Sequence, residues 1–202
     1  AYEIGSGLVG SGDVYKRQHI EKRYRVTDNL VSDMISTVEA ESPDILLLGA
    51  GPRFMTDGEK SMTSFFGLFR KKVDDVLEHA SCPVAIFVNR DYRNGDEVAV
   101  LINGSMDSFL FTYVRRLLED GGSFIHLYYF SSGSEEYVGQ IYKINKQYAN
   151  RVHLYPLVEI EDLVLPIIHG LLILSYDTCV GIAANEKVFK ALPSLLVMKD
   201  AS

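Results

Sequence analysis

The chain has 202 residues, 47 % apolar and 23 % charged, which is typical of a folded globular protein rather than a disordered or fibrous one. Its formal net charge of −7 disfavours contact with nucleic-acid phosphates, so no nucleic-acid partner is expected. The longest apolar run, at residues 163–175, is shorter than the roughly 18 residues that a membrane span needs.

The first eighteen residues do not look like natural protein sequence. Residues 13–18 read DVYKRQ, which matches the translated end sequence of a transposon that is used to tag DNA libraries. We therefore interpret residues 1–18 as an adapter-derived, non-native segment and exclude them from fold reasoning. The alternative is a natural surface segment that happens to match.

Apolar periodicity predicts alternating strands and helices from residue 19 onward. Residues 19–93 contain a predicted strand at 19–26, a helix at 28–40 capped by Thr27 or Asp28, a strand at 44–49, a helix at 65–79 and a strand at 82–88. The polar, turn-rich segment 91–96 then predicts a domain boundary.

The same alternation restarts after this boundary. Residues 94–202 contain five predicted strands, at 98–102, 124–130, 152–158, 171–174 and 195–198. Predicted helices run from Asp107 or Ser108 to Gly121, at 134–148 and at 161–168, and residues 186–191 form a last helix or half-turn. The sequence therefore predicts an α/β protein with mainly parallel sheets. The first domain, 19–93, lacks its opening strand–helix–strand unit and is expected to be truncated at its N-terminus; the second, 94–202, has five strands.

Residues 76–90 resemble segments of known protein families. The sequence VLEHASCPV at 76–84 resembles the universal stress protein family, and the ending IFVNR at 86–90 resembles the soluble C-terminal region of the monovalent cation:proton antiporter-2 family. Those antiporters carry two universal-stress-protein-like domains in tandem after their membrane helices. The resemblance thus implies two tandem domains of this adenine nucleotide alpha hydrolase-like type.

The same resemblance implies a function. The chain would be the non-catalytic, cytosolic regulatory region of a Na⁺ or K⁺/H⁺ antiporter, at the cytoplasmic face of the cell membrane. Its partner would be the membrane antiporter domain of the same natural chain, and it would sense a ligand, pH or another protein. The alternative is a free-standing tandem universal stress protein with a degenerate nucleotide-binding pocket.

The nucleotide motifs of the family are present only in halves. ATP-binding members resemble one another in a Gly-x-x-Gly, nine residues, then Gly-Ser/Thr after the fourth strand, and in an Asp-x-Ser-type turn after the first strand. Here Pro52, which lacks an N–H donor, replaces the second glycine of the first motif, and Asn103 replaces the aspartate of the second. No cofactor is the primary expectation and ATP or AMP the alternative, with these candidate binding residues: Gly49, Gly51, Arg53, Asn103, Gly104 and Ser105.

No catalytic residue and no metal site are predicted, because no catalytic constellation is recognisable and the five histidines lack metal-ligand spacing along the chain. The chain is therefore expected not to be an enzyme. Related domains pair through their final strands, so we expect either that the two final strands pair within the chain or that the chain forms a homodimer.

Overall fold

The computed structural model describes residues 28–50, 74–93, 97–120, 122–130, 134–165 and 170–201. Three predicted features lie outside these residues: the segment 1–18 that we interpret as adapter-derived, the strand at 19–26 and most of the helix at 65–79. So do two of the candidate binding residues, Gly51 and Arg53.

Strands and helices alternate along the described chain, as the sequence predicts. The strands are β1 (Leu46–Ala50), β2 (Val84–Val88), β3 (Glu97–Ile102), β4 (Phe124–Phe130), β5 (Val152–Leu157), β6 (Leu171–Ser175) and β7 (Ser194–Lys199). The helices are α1 (Leu30–Glu41), α2 (helical residues 74–79), α3 (Leu110–Glu119), α4 (Glu135–Gln147), α5 (Tyr176–Ala183) and α6 (Glu186–Ala191).

The C-terminal half differs from the prediction in two elements. In its described part, which ends at residue 165, the predicted helix at 161–168 is replaced by a 3₁₀ turn, Ile160–Asp162, because the Asp162 carboxylate accepts the Glu159 N–H at 3.1 Å and the backbone becomes extended at Leu163. Residues 166–168 of this prediction lie outside the described residues. Conversely, α5 was not predicted. It begins where the Ser175 hydroxyl accepts the Thr178 N–H at 3.1 Å, which satisfies one of the free donors of the first turn.

The cap of α1 also differs from the prediction. Asn29, rather than Thr27 or Asp28, caps this helix, and its side-chain oxygen accepts the Ser32 N–H at 3.3 Å. The prediction misses by one or two residues because several residues that favour the N-cap position adjoin one another there.

The seven described strands form one sheet in the order β1-β2-β7-β6-β3-β4-β5. Neighbouring strands are parallel except at the β2–β7 junction, where Val84 lies opposite Lys199 and Val88 opposite Leu195 in antiparallel register. The predicted pairing of the two final strands is thus confirmed within the chain. The division into two tandem domains and the truncation stay predictions.

Both faces of the central sheet are covered by helices, so its strands are apolar on both sides. Alternate residues of β3 illustrate this: Val98, Val100 and Ile102 pack with α3 and α4, whereas Ala99 and Leu101 pack with α5 and α6. A third cluster packs α1 and α2 against β1 and β2. None of the helices in the described ranges combines the length and the apolar character that crossing a bilayer demands.

Candidate functional site

The order of the strands reverses at β3. Strands β4 and β5 follow on one side of β3, whereas β6 and β7 lie on the other side. In open parallel sheets such a switch point leaves a crevice outside the carboxyl ends of the strands, where ligands bind. The predicted half-site Asn103, Gly104 and Ser105 follows β3 at this point, and Ser175 ends the neighbouring strand β6. The switch point is therefore the candidate functional site.

Gly104 gives the turn after β3 its shape. Its backbone angles, φ +88° and ψ −169°, lie in a region that is essentially restricted to glycine. A Cβ built at this position would meet no heavy atom within 4 Å, so the requirement for glycine is conformational rather than steric. The turn leads directly into a 3₁₀ turn at Ser105–Asp107.

Asp107 lies at the centre of the site, although it is not among the binding residues that the sequence predicts. The prediction that Asp107 or Ser108 caps the following helix was wrong, because α3 begins without a side-chain cap. The Asp107 carboxylate instead turns inward and is only 3 % exposed. Its Oδ2 accepts the Asn103 N–H at 2.8 Å and the Thr178 hydroxyl at 2.9 Å. Asp107 thereby joins the β3 turn to the start of α5.

This arrangement places a negative charge at the N-terminal turn of α5. Thr178 belongs to that first turn, and its own N–H donates to Ser175 Oγ. Helix N-termini favour anions and are common binding places for phosphate groups. Here the anion is the protein's own carboxylate, which would repel a phosphate that approached the same position.

A buried tyrosine fills the other side of the Gly104 turn. The Tyr137 hydroxyl, from α4, donates to the Ile102 carbonyl at 2.9 Å. Burial raises the pKa of Tyr137 to about 12, against the opposite effect of hydrogen bonds from the backbone of Gly104 and Phe130. The phenol is therefore hydrogen-bonded to backbone groups at the ends of β3 and β4.

The second candidate half-site lies elsewhere. Gly49 is part of β1, opposite Phe87 of β2, and β1 lies four strand positions from β3, a distance of about 19 Å. Because β2 and β7 are antiparallel, the carboxyl ends of β1 and β2 lie at the opposite edge of the sheet from those of β3 and β6. The structure therefore does not bring Gly49 together with Asn103, Gly104 and Ser105.

Two further observations bear on the chemistry of the described residues. Burial raises the pKa of the Cys179 thiol to about 12, so this cysteine is protonated at neutral pH and is a poor nucleophile. In the described ranges no group of three or more His, Cys, Asp and Glu side chains is placed to hold a metal ion.

A scan against protein-family models returned no match, and neither did a search of curated proteins. The fold is similar to the crystal structure of a candidate universal stress protein from Pseudomonas aeruginosa UCBPP-PA14, with a TM-score of 0.50 and 14 % identity over 86 % of this chain and 69 % of that chain. A protein of unknown function from Pseudomonas aeruginosa PAO1 gives a TM-score of 0.49 at the same identity and coverage. The chain therefore has a universal-stress-protein-like α/β fold; at this identity the likeness concerns the fold alone.

Proposed function

We propose that the chain is a non-catalytic regulatory region of a monovalent cation/proton antiporter, which acts on Na⁺ or K⁺ transport from the cytoplasmic face of the cell membrane. The universal-stress-protein-like fold and the IFVNR ending at residues 86–90 support this proposal. The membrane antiporter domain of the same natural chain would be its partner.

One observation supports the proposal that the region is not catalytic. The Asp107 carboxylate is held by Asn103 and Thr178 at the place where a nucleotide phosphate would meet the start of α5. A site that is filled by its own hydrogen-bonded groups suits a structural junction better than a reaction centre. Its role would be to hold β3, α4 and α5 in a fixed arrangement, so that binding elsewhere on the module biases the attached transporter.

A second function is favoured by the turn at Gly104. This turn has a backbone conformation that only glycine adopts readily, and it lies at the switch point of the sheet, where open parallel sheets bind ligands. It supports the alternative of a free-standing tandem universal stress protein with a degenerate pocket for ATP or AMP.

Calorimetric titration of the full chain with ATP and with AMP tests the proposal. We expect no saturable binding at micromolar nucleotide, because Asp107 repels phosphate and Tyr137 occupies the neighbouring backbone. The Asp107→Asn variant keeps an acceptor but loses the charge, so it is expected to bind ATP more tightly than the parent chain. A micromolar dissociation constant for the parent chain would favour the free-standing stress protein instead.

The source gene distinguishes the two functions directly. Its sequence upstream of codon 19 should continue in frame into a series of apolar spans of about 20 residues each if the chain regulates an antiporter. A start codon that leaves room for only one additional strand–helix–strand unit would establish the free-standing protein and overturn the antiporter proposal.

A further inference from the structure

Two imidazole rings lie side by side at one end of the sheet, away from the switch point. His126 of β4 and His153 of β5 are directly opposite in the parallel register, and their ring centroids are 5.8 Å apart. His126 is nearly buried, with 9 % of its surface exposed, whereas His153 is exposed. The pair is therefore open to solvent on the His153 side.

The ring of His126 is held in place by its neighbours. Its Nδ1 lies 3.2 Å from the Tyr155 hydroxyl oxygen, and the Tyr155 ring stacks on Tyr128 at 4.7 Å between centroids. The Tyr128 hydroxyl in turn donates to the Val164 carbonyl at 3.0 Å. When Nδ1–H donates to Tyr155, the lone pair of His126 lies on Nε2, the nitrogen that remains for another partner.

We propose that His126 and His153 form a two-imidazole binding site for a divalent transition-metal ion of the Zn²⁺, Ni²⁺ and Cu²⁺ class, with water in the remaining coordination positions. Imidazole nitrogens bind such ions at about 2.0–2.1 Å, and each ring centroid lies roughly 1.1 Å beyond its nitrogen, so the centroids of two rings on one ion lie about 4.5 Å apart at a right-angled N–metal–N angle and about 6.4 Å apart at a linear one. The observed separation of 5.8 Å falls within this range.

The second contact of His126 fits the same role. Histidine ligands commonly donate their other ring N–H to an oxygen acceptor, which fixes the tautomer and orients the ring. Tyr155 provides such an oxygen, and its stacking on Tyr128 limits its own movement. The described residues supply no group of three or more such ligands, so the proposed site has two protein ligands from this part of the chain.

This site is independent of the proposed regulatory function and is tested separately. Zn²⁺ or Ni²⁺ is titrated calorimetrically into the full chain and into a variant in which His19, His79 and His169 are all replaced by Gln, so that only the pair remains. We expect saturable binding of one ion per chain in both proteins. Absence of binding in the variant that retains the pair would overturn the proposal.

Replacing one member of the pair provides the decisive comparison. In the variant that lacks His19, His79 and His169, the further substitution His153→Gln is expected to weaken the affinity for the metal ion by about tenfold or more, because a single imidazole of the pair remains. His153 is exposed, so the fold should persist, and circular dichroism checks this. If His153→Gln binds the metal with unchanged affinity, the metal binds elsewhere and the proposal is overturned. This conclusion does not depend on His126→Gln, whose buried substitution could prevent folding.

Discussion

A single backbone conformation distinguishes Gly104 from the other glycines of the described chain. Gly104 and Gly139 have equal room for a methyl group, since a Cβ at either position would meet nothing within 4 Å. They differ in backbone geometry, because Gly104 has φ +88° whereas Gly139 lies within α4. The pair therefore separates conformational strain from steric strain.

We expect Gly104→Ala to lower the free energy of unfolding by about 1–3 kcal/mol, because alanine is strained in this region. Gly139→Ala should instead raise it by about 0.5–1 kcal/mol, because alanine favours the helix. Urea unfolding of both variants measures these changes. Equal effects of the two substitutions would show that the turn after β3 does not require glycine.

The sequence predicted part of the site because that part is local. Asn103, Gly104 and Ser105 follow an apolar strand directly, so their place at its carboxyl end could be read from neighbouring residues. The contact between Asp107 and Thr178 spans 71 residues, and no local pattern connects them. Asp107 instead looked like a helix cap, since an aspartate just before a helix commonly has that role.

At the scale of the elements, β4 and α4 bury three phenol groups. Burial is the largest cause that raises the pKa of each of Tyr128, Tyr129 and Tyr137 to about 12, above the ordinary value of about 10. The unfolded chain would lose these protons at lower pH than the folded protein does. The stabilising effect of the neutral phenols is therefore complete below about pH 10.

We expect the free energy of unfolding to fall as the pH rises from about 10 through about 12, because the unfolded state then binds fewer protons than the folded state. Urea unfolding at a series of alkaline pH values measures this slope. Tyr137→Phe removes one of the three phenols, so its slope should be shallower than that of the parent chain. If Tyr137→Phe leaves the slope of the unfolding free energy against pH unchanged, burial of the Tyr137 phenol does not contribute to that slope.

Most element positions could be predicted because burial dictates their pattern. Strand β4 and helix α6 have the predicted bounds, since each combines a clear apolar period with clear ends. Helix α5 escaped prediction because it contains Gly181 and Thr178, and its start depends on the hydroxyl of Ser175 at the end of a strand. Hydrogen bonds of the Ser175, Glu159 and Asp162 side chains set where α5 and the 3₁₀ turn begin, and the apolar period does not report such bonds.

At the scale of the whole molecule, Arg90 ties the region before residue 94 to the end of the chain. Its Nη1 donates to the Phe189 and Leu192 carbonyls at 2.7 and 3.0 Å, and its guanidinium lies 4.5 Å from the centroid of the Phe189 ring. The Arg90 N–H also donates to Ser194 Oγ at 2.8 Å. These contacts close the end of α6 and fix β7 beside β2. The arginine of the IFVNR sequence therefore has a structural role here.

We expect Arg90→Met to lower the free energy of unfolding by about 2–4 kcal/mol, because two carbonyls lose a charged donor while the apolar stem is kept. Arg93→Met is the matched control. Among the contacts described, Arg93 pairs only with the exposed Asp91, so its loss should change the free energy of unfolding little. Chemical unfolding of both variants measures the difference. If both substitutions lower the free energy of unfolding by similar small amounts, the Arg90 contacts do not hold the two regions together.

The antiparallel β2–β7 junction has a consequence for assembly. In the parallel β1–β2 pair, Leu46 lies opposite Val84, and in the parallel β6–β7 pair, Leu171 lies opposite Ser194. Strands β2 and β7 each begin directly after a proline. The two pairs are thus arranged about the junction approximately as a two-fold axis would place them, which is the symmetry that usually joins two identical subunits. Here both halves belong to one chain, so the linker sets their effective concentration. Dilution, which dissociates a dimer, leaves this interface assembled.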